Sequence, residues 1–129
     1  MKKQTEFFIQ ATLNIKVTAE DIDDIMCSAL EGGINYWCCK AEVVGDYLGE
    51  YASEQISRGG TLKLYDEVED QVYKLTLEDL LKGIKLAVQG NYYADYEWHN
   101  GAELDPCQID ADVADVIIQL ALFKEVIYG

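Results

Sequence analysis

Arg58 is the single arginine of the chain, set between Ser57 and the glycine pair Gly59–Gly60 in the stretch QISRGGTLKL. A second glycine pair, Gly32–Gly33, lies in EGGINYW beside Tyr36 and Trp37, and Tyr47 follows shortly after. Glycine lets backbone approach a ligand closely and leaves amides available as anion donors. A guanidinium grips phosphate through a planar, two-pronged fork. These nine residues therefore make a candidate site for a small anionic nucleotide. Arg58 and the amides of Gly59 and Gly60 would hold phosphate, with Ser57 and the Gly32–Gly33 turn beside them, while Tyr36, Trp37 or Tyr47 stacks on the base. The same residues also read as two helix C-caps with Arg58 paired to a nearby glutamate, and the sequence leaves both readings open.

Other chemistry is poorly supplied. The chain has no phosphate-binding or dinucleotide-binding glycine loop, no G-x-S-x-G and no H-E-x-x-H, so the main hydrolase and nucleotidase signatures are missing. Its one histidine, His99, sits in a polar loop far in sequence from every cysteine except Cys107. Asp105, Asp110, Asp112 and Asp115 cluster without the spacing of a calcium loop, and acids at a helix start are expected from the helix dipole alone. The four cysteines (Cys27, Cys38, Cys39 and Cys107) lack metal-ligand spacing and are expected to be buried free thiols in a reducing compartment. The expectation is a non-catalytic protein without a cofactor.

Twenty-four acidic residues against ten basic ones give a formal net charge of −14. Such a field repels nucleic acid and anionic membranes and favours a basic partner surface. The aromatic stretch NYYADYEWHNG, residues 91–101, is interleaved with acids rather than lysines, which argues against a single-stranded nucleic-acid platform. No stretch is long and apolar enough to span a membrane, and the N-terminus lacks a secretory signal pattern, so a cytoplasmic protein is expected.

The elements that must position these residues follow from periodicity. Residues 6–17, EFFIQATLNIKV, alternate apolar and polar and predict a long first strand with one buried face. Thr18 and Asp21 predict a capped helix carrying Ile22, Ile25, Met26, Ala29 and Leu30. INYWCCKAEVVG is ambiguous between strand and helix, and DYLGEYASEQISR reads as a helix stopped at Gly59–Gly60. TLKLYD and QVYKLT around EVED predict a hairpin, and Thr76 with Asp79 caps a further helix. VADVIIQLALF, apolar nearly all round, predicts a last helix at the centre of the core. With 129 residues these elements make one α+β domain, 1–129. It has a small antiparallel sheet of three or more strands and three to four helices packed on one side. The long first strand also predicts a homo-oligomer, since its edge must be covered.

The blocks SALEGGINYWC, SRGGTLKL, KLTLEDLLKGI and DADVADVIIQLALF, in this order over residues 18–128, resemble a group of small bacteriophage and prophage proteins of Firmicutes. The resemblance carries no catalytic residues. It implies a phage-encoded setting in which small proteins act against host defence. Two functions fit that setting: sequestration of a nucleotide immune signal at the Arg58 site, or acidic mimicry of nucleic acid that inhibits a basic defence protein such as a CRISPR nuclease. A regulatory phage protein without a ligand is a third.

Overall fold

The computed structural model describes residues 4–11, 14–90, 99–100 and 103–129. Helix α1, Ala19–Ser28, starts at Thr18. The Thr18 hydroxyl accepts the Asp21 amide at 3.1 Å, and the Asp21 carboxylate accepts the Thr18 amide at 3.0 Å. That reciprocal box satisfies two donors that a helix start otherwise leaves open. The helix runs on through one wide π turn, Ala29–Gly33. Gly33 is required there, because a Cβ would stand 2.6 Å from the carbonyl oxygen of Ala111.

The ambiguous segment then becomes strand β1, Cys38–Val43, which pairs antiparallel with β2, Leu62–Asp66. A tight turn joins β2 to β3, Gln71–Leu75, and the sheet order is β1-β2-β3. This is the hairpin expected around EVED. Asp66 stabilises its turn by accepting the amides of Val68 at 2.9 Å and Glu69 at 3.1 Å. Leu62, Leu64 and Leu75 face inward and are fully buried, whereas Lys63, Tyr65, Val72 and Lys74 alternate to the other face.

Helix α2, Leu77–Gly90, carries the Thr76–Asp79 cap and packs along α3, Ala111–Phe123. Nine consecutive residues of α3, Val113–Ala121, are buried, which is the central helix its composition implies. Between α2 and α3 lies a short pair of strands, β4 (His99–Asn100) and β5 (Glu103–Leu104). Most of the aromatic stretch 91–101 falls outside the described residues. Among the described residues the arrangement is α+β: three α-helices, a three-stranded antiparallel sheet and the short β4-β5 pair around one core.

Three expectations are corrected. The predicted first strand is not part of this sheet. Residues 4–11 are exposed throughout, and among the described residues of the segment, which exclude 12 and 13, one isolated bridge forms, Lys16 to Glu103. Alternation specifies which side chains share a face, but a strand also needs a partner edge. The helix predicted over DYLGEYASEQISR is instead a series of bends with one 3-10 turn, Ala52–Glu54. Its spacing was helical, but Gly45 at φ 76° and the side chains of Glu54 and Gln55 redirect the backbone. All four cysteines are free, as expected, but only Cys38 is buried while Cys39 and Cys107 are exposed.

Candidate functional site

The loop from Val44 to Gly60 holds five of the nine predicted residues and is organised by two side chains that sequence reading passed over. Gln55 is 1% exposed. Its Oε1 accepts the Leu48 amide at 3.0 Å, and its Nε2 donates to the Asp46 carbonyl at 3.2 Å. An amide side chain can serve as donor and acceptor at once, so Gln55 pins both limbs of the loop. Gly60 packs against that side chain so closely that a Cβ would overlap it. Glu54 does the same job nearer the surface, accepting the amides of Glu50 and Tyr51 at 3.0 Å each. The Tyr51 amide, followed by the Glu50 amide and the Arg58 guanidinium, holds the Glu54 carboxyl below the ordinary range.

Arg58 answers to this loop. Its Nη2 lies 3.4 Å from Glu54 Oε2, an i,i+4 pair, with the arginine side chain half exposed. The amide of Gly59 donates to the Ile56 carbonyl at 3.0 Å and that of Gly60 to the Gln55 carbonyl at 2.9 Å. Both donors are therefore engaged in a turn closure, and Gly59 takes φ 87° as such a turn requires. Ser57 donates its hydroxyl to Asp23 Oδ1 at 2.6 Å, which ties the loop to α1. Gly32 and Gly33 belong to the π turn that follows α1.

The aromatics divide. Trp37 is fully buried, stacked on Tyr128 at 5.4 Å between ring centres and tilted against Phe123 at 5.8 Å. Its ring has no face open to a ligand. Tyr36 is half exposed, and its hydroxyl donates to Asp115 Oδ2 at 2.5 Å. Burial, then that bond to Asp115, pushes the Tyr36 phenol well above its ordinary pKa. Tyr47 is exposed, with Val44, Leu48 and Tyr51 beside it in sequence, also exposed.

A hollow of about 590 Å³ lies along β1, lined by Leu30, Ile34, Asn35, Lys40, Ala52 and Glu67 among others. None of the nine predicted residues lines it. Its cation, Lys40, is already engaged with Glu42 at 3.0 Å and lies over the Tyr65 ring. Among the described residues no cluster of three metal-ligating side chains exists, and no helix is long and apolar enough to cross a membrane.

What the loop does present is a fixed surface. Val44, Tyr47, Leu48 and Tyr51 stand out of a backbone held by Gln55 and Glu54, flanked by Asp46 and Glu50. Among the described residues neither of these two acids pairs with a cation. Sequence reading took DYLGEYASEQISR as a helix and did not single out the exposed group 44, 47, 48 and 51. Comparison of the chain with protein-family models, curated proteins and solved structures found no match.

Proposed function

We propose that this is a non-catalytic, cytoplasmic binding protein that docks through the Val44–Gly60 loop onto a basic surface of a partner protein. The observation that carries the reading is the loop itself: exposed tyrosines and aliphatics on a frame held by Gln55 and Glu54, bordered by carboxylates that pair with no cation among the described residues. Large apolar residues held exposed are characteristic of interaction sites rather than of inert surface. Tyrosine supplies contact area at low entropic cost and dominates interface energetics. Carboxylates at the rim select a cationic partner and speed its capture. A net charge of −14 extends the same preference over longer range.

In the phage setting implied by the sequence resemblance, the partner is a basic host defence protein, with a CRISPR nuclease as the type case. Sequestration of a nucleotide at Arg58 draws less support. The guanidinium is paired, the two glycine amides are engaged, and Trp37 is buried.

The test is a plasmid-interference assay against a panel of Cas nucleases, followed by direct binding of the affected nuclease over a salt series. The expected result is protection from at least one nuclease, with binding that weakens as salt rises and is lost in Tyr47→Ala/Tyr51→Ala. No protection against any member of the panel would retire the reading in this form. A thermal-shift screen of cyclic nucleotides against wild type and Arg58→Ala distinguishes the alternative: stabilisation that depends on Arg58 would restore it.

A further inference from the structure

The N-terminal segment departs from everything else in the molecule. Residues 4–11 leave the body with their largest apolar side chains in solvent, Phe7 at 87%, Phe8 at 88% and Ile9 at 90% exposure. A single exposed leucine or phenylalanine is ordinary, but three large apolar residues in succession are not. Nor is the segment a neutral tail. Residues 1–11 contain two lysines and one glutamate, a net charge of +1, which leaves −15 on the rest of the chain, where Lys16 is paired with Glu103 at 3.2 Å. The arm is cationic and the body strongly anionic.

The same segment returns to the body at Asn14–Val17 and forms one wall of a groove against α2. That groove, about 520 Å³, is lined by Asn14, Ile15, Val17, Leu81, Ile84, Lys85, Val88 and Gln89. Its floor is apolar, and Leu81 at its margin is 41% exposed. At its lip stands Lys85. Glu6, next to Phe7 on the arm, is exposed too. Among the described residues neither Glu6 nor Lys85 has an ion-pair partner.

We propose that two copies of the chain exchange N-terminal arms. Phe7 and Ile9, which share one face of the alternating segment, seat in the Ile15–Leu81–Val88 groove of the second copy, and Glu6 meets Lys85 at its lip. The exchange is reciprocal, as a two-fold dimer requires. A second copy is the occupant for two reasons. Only the arm is cationic on a molecule whose body is anionic, so one copy's arm is attracted to the other's body. The size also suffices. Phe7 and Ile9 each bury on the order of 150–200 Å². Counting two arms and an equal groove surface that they cover gives roughly 1,200–1,600 Å², the lower half of the range for specific interfaces. This inference is independent of the loop reading, since it uses the other end of the chain.

Sedimentation equilibrium on the full chain and on variants tests it. The wild type is expected to show a concentration-dependent dimer. Phe7→Ser/Ile9→Ser and Leu81→Glu should each loosen that dimer by about tenfold or more, the scale on which buried anchors act. The arm variant lies wholly in exposed chain, so its circular dichroism and melting curve should match the wild type. Lys85→Glu should weaken association and Glu6→Lys/Lys85→Glu should recover it. A wild type that remains monomeric at the highest attainable concentration overturns the proposal, including the case in which each arm folds into its own groove. A dimer indifferent to Phe7→Ser/Ile9→Ser overturns it equally.

Discussion

The indole nitrogen of Trp37 donates to Asp115 Oδ1 at 2.8 Å, joining residues 78 positions apart in the chain. Around that bond the core is polar by design. Gln119, one turn along α3 and fully buried, donates to the same Asp115 oxygen at 2.9 Å and accepts the amides of Ile127 and Tyr128 at 2.8 and 2.9 Å. The tail so captured delivers Tyr128, whose hydroxyl donates to the buried Asp66 at 2.6 Å. Among the described residues no buried side-chain nitrogen or oxygen lacks a hydrogen-bond partner. A fully satisfied network of this kind fixes one arrangement of the core, whereas a broken one leaves polar groups stranded in low dielectric.

Asp115→Ala should therefore be destabilising. It strands the buried Trp37 nitrogen, removes the acceptor of the half-exposed Tyr36 hydroxyl, and leaves Gln119 Nε2 with only the Tyr36 hydroxyl and the Tyr128 carbonyl. The expected cost is about 1–3 kcal/mol for the stranded Trp37 donor, read as a lower urea midpoint. Asp115→Asn keeps an acceptor for Trp37 and should lose less. Equal stability of wild type and Asp115→Ala would show that the network does not hold the tail.

Stability should fall at both ends of the pH scale. Burial alone would raise the Asp66 pKa, but donors from Tyr128, Glu69, Val68 and Tyr73 outweigh it and hold the group below its ordinary range. A depressed value means the stabilisation is present above the unfolded pKa of about 3.9 and is lost as pH falls through the folded one. Asp66→Asn should be less stable than wild type near neutrality and converge on it in acid. On the alkaline side, burial and then Asp115 raise the Tyr36 phenol, while donation to Asp66 raises that of Tyr128. Their stabilisation is complete below about pH 10 and declines as pH rises beyond it. Urea midpoints across the range, with Tyr36→Phe and Tyr128→Phe as controls, check both limbs.

Those networks also mark where sequence reading stopped. Local signals were sufficient for the two caps at Thr18 and Thr76, because capping is a matter of residues three apart. Asp110, which caps α3 by accepting the Val113 amide, read only as one of several acids near a helix start. The hairpin around EVED and the buried α3 followed from period and composition. Asp115 and Gln119 were visible as two polar residues one turn apart in an otherwise apolar helix, yet their partners Trp37 and Tyr128 come from distant parts of the chain. The segment 46–58 failed for the opposite reason. Its helical spacing was real, but Gln55 and Glu54 bond the backbone of residues 46–51 and compete with helix formation. Of the nine predicted site residues, Tyr47 stands in the open on the loop, and Arg58 is exposed but occupied by Glu54.

Gly83→Ala is expected to destabilise, against its helix propensity. Alanine in place of an interior glycine ordinarily gains about 1 kcal/mol. Here α2 and α3 approach so closely at Gly83 that a Cβ would stand 2.6 Å from the Ile117 carbonyl oxygen and 2.9 Å from Ala121 Cβ. Both are on the central helix and neither can yield without moving it. Overpacking of this kind costs about 1–3 kcal/mol, so the net should be a lower melting temperature. An unchanged or higher one would mean that the two helices are not in register as described.

The docking reading makes a sharper demand on Gln55. If the loop acts by presenting Tyr47, Leu48 and Tyr51 on a fixed frame, releasing the frame should damage binding more than folding. Gln55→Ala removes the acceptor of the Leu48 amide and the donor to the Asp46 carbonyl, while Gly60 loses the side chain it packs on. Asp46 and Leu48 are exposed, so water can replace those bonds, and the stability cost should stay at the low end of about 1–3 kcal/mol. Binding differs, because a loosened loop must be ordered again in the complex, at about 0.5–1.5 kcal/mol for each immobilised side chain. Measured against the nuclease identified by the interference assay, Gln55→Ala should lower affinity by tenfold or more while the wild-type fold persists. Affinity that falls only in proportion to stability would show that the loop is a structural turn and that the partner, if any, binds elsewhere.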